Sequence, residues 1–232
     1  MANKPAIVLV HGFWGGAAHW SKVIVGLSQM GYESLNAVEL PLTSLVDDAE
    51  RARKMIAQQK GPVLIVGHSY GGAVITQAGN QPNVVGLVYI TAFAPDAGES
   101  LADIAAVGAP PAGAANLSVD SDGYLWINPK KFHESFCQDL TPDEGLVMGV
   151  TQKAPVASKF VDKSVAPAWK VKPCWYQVSS QDRMIAPANE QRMAERMGAK
   201  KIITLPASHA SLASMPNEVC AFIDEAAITT AG

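Results

Sequence analysis

Pro62-Val63-Leu64-Ile65-Val66-Gly67-His68-Ser69-Tyr70-Gly71-Gly72-Ala73-Val74-Ile75 joins an apolar β-branched run to a helix-forming run through a hexapeptide that holds three glycines. A strand, then G-x-S-x-G, then a helix is the context in which the serine sits on a sharp turn with its hydroxyl above a sheet edge. Glycines two residues to either side let the chain reverse and let strand and helix close together. A helix that starts right after Ser69 also leaves free N–H groups at the hydroxyl, where a developing negative charge would be stabilised. Alone, the motif is short enough to arise as a plain glycine-rich turn, so its partners must decide.

Working outward, Ala6 to Val10 is a continuous apolar run that ends in the glycine-rich loop His11-Gly12-Phe13-Trp14-Gly15-Gly16. Such runs suit strands buried on both faces of a parallel sheet. Trp20, Val23, Ile24, Leu27 and Met30 recur at helical spacing, and Gly31 ends that helix. Further strands are expected over 34–38, 62–66, 84–91, 173–178 and 201–205. Helices are expected over 43–60, 187–197 and from about Pro216. Between Ala97 and Lys170 no buried-type strand occurs. That stretch holds an Ala/Pro/Gly-rich link, a hairpin about Asp120-Ser121-Asp122-Gly123, a helix over 129–137 and another begun by Thr141-Pro142-Asp143-Glu144, which has the form of a capping box. The fold class expected is α/β, a doubly wound and mainly parallel six-stranded sheet, with a helical lid inserted after the fourth strand. Its organisation would be a core of 1–96 and 171–232 with 97–170 as the lid.

Functional residues in such sheets gather at the carboxyl ends of strands. The strand over 173–178 runs into Ser179-Ser180-Gln181-Asp182, and the strand over 201–205 into Pro206-Ala207-Ser208-His209. His209 is therefore the candidate base for Ser69, and Asp182 the candidate acid that orients the imidazole. Asp96, at the end of the fourth strand, is the alternative acid, and otherwise a hinge or anchor of the insertion. His68 is expected to bond neighbouring backbone, and His11 to brace its loop. The backbone N–H groups of Tyr70 and Phe13 are the expected oxyanion donors. Trp14, Trp126 and Met148 are expected to bind substrate in an apolar pocket between core and insertion.

His11-Gly12-Phe13, Gly67 to Gly72, Phe93-Ala94-Pro95-Asp96, Asp182-Arg183 and Ala207-Ser208-His209 together resemble the α/β-hydrolase superfamily. Within it the chain resembles plant methyl esterases, hydroxynitrile lyases and bacterial esterases. The resemblance implies a serine hydrolase that cleaves a small to medium carboxylic ester through an acyl-enzyme. The lyases carry threonine at the position of Gly12 and lysine at that of Ala210, so the resemblance favours the esterases. Lactone, amide or carbamate cleavage, and a receptor-like binding role, are the alternatives.

The formal charge of −3 over 232 residues, with 17% charged and 48% hydrophobic, gives no basic surplus for nucleic acid. No apolar run approaches the roughly 18 residues that would span a bilayer. The N-terminus has no signal core, and Cys137, Cys174 and Cys220 are widely spaced, as in a reducing compartment. A cytoplasmic protein with a small-molecule ester as partner is expected, and homo-oligomerisation stays open. No ligand spacing for a metal and no dinucleotide fingerprint occurs, so no cofactor or metal is expected. Turnover should accordingly survive EDTA and exhaustive dialysis. An activity lost to chelator and restored by one added metal would contradict this.

Overall fold

A computed structural model describes residues 4–230. Its main sheet has six parallel strands: β1 Ala6–Val10, β2 Leu35–Val38, β3 Val63–Ser69, β4 Val84–Ala92, β7 Cys174–Ser179 and β8 Lys201–Leu205. Their order across the sheet is β2-β1-β3-β4-β7-β8. Strands β5 Leu117–Val119 and β6 Leu125–Ile127 form a separate antiparallel hairpin. The helices are α1 Ser21–Gln29, α2 Leu45–Ala57, α3 Tyr70–Ala78, α4 Leu101–Ala105, α5 Phe132–Phe136, α6 Pro142–Val150, α7 Pro187–Arg196, α8 Ser211–Ser214 and α9 Pro216–Thr230.

Every residue of β1 and β3 is buried, because helices cover both sheet faces. Alternation then divides the core in two. Ile7, Leu9, Leu64 and Val66 face α1 and α9, whereas Val8, Val10 and Ile65 face α2, α3 and α7. Strand β1 sends the chain outward to β2, and β3 sends it the opposite way to β4. The crevice at the carboxyl ends of β1 and β3 is thus the topological switch point, where sheets of this kind bind ligands. Val10 pairs with Gly67 there, so the loop after β1 and the turn after β3 lie side by side.

The sequence boundaries hold to within a few residues for all six strands. Helix α3 starts at Tyr70, directly after the serine, and Gly31 has φ +85°, as a helix-ending glycine requires. Thr141 and Glu144 do form the capping box, and Pro142 occupies the first turn of α6. The stretch between β4 and β7 departs from the helical insertion expected. Its three α-helices have five, five and nine residues, separated by 3-10 turns and irregular chain. Its recurrent Pro and Gly residues break the backbone ladder that a long helix needs.

This stretch is tied to the core by charge. Lys159 is 1% exposed and pairs with Asp48 of α2, which is wholly buried. Asp48 also accepts from the Tyr70 hydroxyl at 2.7 Å and from the Leu42 N–H at 2.8 Å. Asp162 accepts from the Leu45 N–H at 2.8 Å. Burial pulls the Lys159 ammonium below its ordinary pKa, and Asp48 opposes that shift. Removing one partner of a buried pair strands the other. Lys159→Ala should therefore cost about 3–5 kcal/mol, seen as a lower urea midpoint, and Asp48→Asn with Lys159→Met should recover much of the loss.

Candidate active site

Ser69 ends β3 with φ 54° and ψ −124°, a left-handed conformation that costs a non-glycine residue on the order of 1–3 kcal/mol. The neighbouring glycines make it tolerable. A Cβ on Gly71 would lie 2.4 Å from the Val10 carbonyl oxygen, and one on Gly72 would lie 2.3 Å from that of Phe93. Helix α3 can start beneath the serine because these residues present no side chain to the strands on either side.

The three polar residues expected at strand ends come together. His209 Nε2 lies 2.8 Å from Ser69 Oγ, and His209 Nδ1 lies 2.6 Å from Asp182 Oδ2. Asp182 Oδ1 accepts from the N–H groups of Met184 at 2.6 Å and Ile185 at 3.0 Å. The carboxylate is thus held by its own loop as well as by the imidazole. With Nδ1–H donating to Asp182, Nε2 is left free to accept the serine proton. Asp96 lies elsewhere: it pairs with Lys170 at 2.5 Å, across the two ends of the stretch between β4 and β7.

His68 and His11 bond neighbouring backbone, as expected of them. His68 Nε2 donates to the His209 carbonyl at 2.7 Å and so fixes the backbone of the base. Burial, and next the charge on His209, push its pKa well down and keep the ring neutral. His11 donates from Nδ1 to the Gly12 carbonyl at 2.8 Å and accepts from the Leu40 N–H at 3.0 Å, which braces the loop after β1. Phe136 sets its ring edge-on to His209, with centroids 4.8 Å apart. Asp139 accepts from the Ser208 N–H at 2.8 Å and anchors the His209 loop to the stretch after β4.

Tyr70 begins a helix, so its N–H has no carbonyl in the preceding turn to bond. Among the described residues none accepts the Phe13 N–H, whereas the next N–H, of Trp14, donates to the Lys153 carbonyl at 3.0 Å. The Phe13 and Tyr70 rings stack with centroids 4.0 Å apart, and Lys159 lies over the Tyr70 ring at 4.5 Å. Gly12 stands so close to the serine that a Cβ there would lie 2.5 Å from Ser69 Cβ.

A cavity of about 140 Å³ opens at Ser69, lined by Phe13, Trp14, Phe93, Phe160 and Ile185 and walled further by Pro110, Pro111 and Ala114. Trp14 takes the place expected of it, and its indole N–H donates to the Leu125 carbonyl at 2.8 Å. Trp126 and Met148 do not. Along the hairpin Ile127 turns inward and is buried, so the alternating neighbour Trp126 turns outward and donates to Asp120 at 2.8 Å. Met148 lines a different, more open cavity of about 350 Å³ beside His19 and Lys22. Burial, and next the charges of His11 and His209, lower the His19 pKa to about 4. Among the described residues no cluster of three or more His, Cys, Asp or Glu side chains is arranged for a metal.

Residues 7–222 match the alpha/beta hydrolase family. The chain belongs to that family. Probable hydrolase R7 of a Phoma species is 25% identical over 246 residues, covering 97% of this chain and 99% of the relative. A pyrethroid hydrolase from Sphingobium faniae superposes with a TM-score of 0.81 at 22% identity, covering 97% of each chain. A methylesterase, MES16, from Arabidopsis gives 0.77 at 18%, covering 97% of this chain and 99% of its own. The chain is thus similar both to plant methyl esterases and to bacterial ester-cleaving relatives. Within the described residues no helix is long and apolar enough to cross a membrane.

Sequence reasoning missed Asp48, Lys159 and Glu190, all fully or almost fully buried. A signal existed for two of them. Asp48 interrupts the apolar stripe Leu45, Ala49, Ala52, Ile56, and Glu190 interrupts the one formed by Met193, Ala194 and Met197. Gly12→Ala should lower kcat on the order of 10²–10³-fold, as loss of an oxyanion donor does, since the loop must move away from Ser69. Steady-state kinetics with circular dichroism to confirm folding checks this.

Proposed function

We propose that the chain is a serine esterase that cleaves small to medium uncharged carboxylic esters through an acyl-enzyme, with Ser69 as nucleophile, His209 as base and Asp182 as acid. The observation that carries this reading is the unbroken relay from Ser69 Oγ through His209 to Asp182, set at the switch point and opening on an apolar cavity. His209 takes the hydroxyl proton as Ser69 attacks the carbonyl, and the developing oxyanion meets the N–H groups of Tyr70 and Phe13. The imidazolium then returns its proton to the leaving alkoxide. Water, activated by the same imidazole, releases the acid.

Among the described residues no charged side chain lines the cavity, which argues for an uncharged substrate. Its volume is close to the roughly 150 Å³ of an engineered cavity that holds one benzene ring, so one substrate half would be a single ring or a short branched chain. The space at Gly12 supports hydrolysis over cyanohydrin cleavage, because no threonine side chain fits against Ser69. In this reading residues 97–170 act as a lid over a core of 1–96 and 171–232, with Phe160, Pro110, Pro111 and Ala114 as its inner wall. The protein works in the cytoplasm, without cofactor, metal, nucleic acid or membrane.

Ser69→Ala and His209→Ala should each lower turnover of p-nitrophenyl esters by about 10⁴-fold or more, and Asp182→Asn by about 10⁴-fold. A serine-directed organophosphate should label Ser69 alone. Near-wild-type activity of Ser69→Ala would overturn the assignment.

A further inference from the structure

A second carboxyl group lies behind the first. Glu190, in the first turns of α7, is wholly buried, as is the Asp182 side chain. Glu190 Oε2 accepts from the Ser179 N–H at 3.0 Å. Its Oε1 meets no donor among the described residues, and the carboxyl it faces is that of Asp182. Two carboxylates cannot both stay charged at such contact in a dry site, so the pair must hold a proton. The donors around each group say where. Asp182 receives two backbone N–H groups and the imidazole, whereas Glu190 receives one N–H. Glu190, with one donor and an oxygen that meets none, is the carboxyl placed to hold that proton and donate it.

We propose that Glu190 is a positioning residue: as a neutral carboxylic acid it donates a hydrogen bond to the Asp182 carboxylate, so that the acid behind His209 is a two-carboxyl pair carrying a single charge. Glu190 touches no substrate. It acts by fixing the Asp182 carboxylate and by drawing part of its charge away from the imidazole. The titratable groups facing Glu190 are Asp182 and, more distantly, Tyr176 on β7, whose own phenol is pushed up by burial and then by Glu190. Burial, and next the Asp182 charge, raise the Glu190 pKa well above its ordinary 4.5.

That shift has a definite sign. A carboxyl more basic in the folded than in the unfolded chain leaves the fold at full stability below the unfolded value. Stability is then lost as pH rises from about 4.5 until the folded value is passed. Glu190→Gln keeps the shape and an N–H donor toward Asp182 but has no proton to lose. Its melting temperature should therefore gain on that of the wild type by roughly 3–5 °C per pH unit above about pH 5, until the folded value is passed, the tenfold change per unit in the folding equilibrium expected for one proton. Parallel melting curves, or a variant less stable at every pH, would overturn the proposal.

Glu190→Leu keeps the burial and removes the donor. The fuller charge on Asp182 should then hold the imidazolium more strongly and move the acid limb of kcat/KM up by about half a pH unit or more. Glu190→Gln should leave that limb in place. A Leu variant that loses stability but keeps the wild-type limb would make Glu190 merely structural and refute the positioning role. Should Glu190→Leu not fold, the Gln melting series still decides. The kinetic arm rests on the triad reading above, whereas the melting series needs no turnover, so failure of one is distinguishable from failure of the other.

Discussion

The strained backbone at Ser69 is the constraint on which the site depends. A serine at φ 54° is held only because strand β3 runs straight into helix α3 and the sheet cannot relax around it. The close approach has several parts. Gly67 lies against Gly71, Gly71 against the carbonyls of Val10 and His11, Gly72 against that of Phe93, and Gly12 against Ser69 itself. Each contact is a place where a methyl group would force strands or helix apart. Together they bring the ends of β1, β3 and β4 close to one hydroxyl, which faces an imidazole.

Around this turn the polar residues form layers, each holding the one above. His209 faces the serine, and Asp182 and the His68 ring hold its side chain and backbone. Behind them Thr91, Gln177, Ser179 and Ser211 fill the buried space with paired donors and acceptors. Thr91 and Ser179 hydroxyls lie 2.6 Å apart, and the Ser211 hydroxyl donates to Gln177 at 2.8 Å. Polar groups this deep are costly unless satisfied, and when satisfied they leave few alternative arrangements. The consequence is an imidazole held in one place, on both its ring and its backbone.

The stretch after β4 serves this site from the other side. Lys159 reaches Asp48 beneath Phe13 and Tyr70, and Asp139 holds the His209 loop. Both oxyanion candidates and the base are thereby braced by residues outside the sheet. Phe160, adjacent to Lys159, forms part of the cavity wall, so the ion pair that anchors this stretch also sets the shape of the pocket.

Local signals were enough for the sheet and for the turn at Ser69. Strand and helix periods, glycine spacing and the positions of Asp182 and His209 after strands all belong to short windows of sequence. Parallel topology then carries strand ends to one edge without further information. The helix beginning at Thr141 was equally legible, because its cap and its Glu144 lie within one turn. What the sequence could not show were contacts between segments far apart in the chain. Trp126 is a large aromatic in the right region, yet the two-residue period of its hairpin spends that side on Asp120 and solvent. The wall of the cavity comes instead from a Pro/Ala/Gly link and from Phe160, segments with no periodic signature. Lys159, Asp48 and Glu190 are ordinary charges in sequence. Only tertiary packing decides that Lys159 meets an opposite charge across 111 residues and that Glu190 meets another carboxyl, because burial and pairing depend on neighbours that no local pattern encodes.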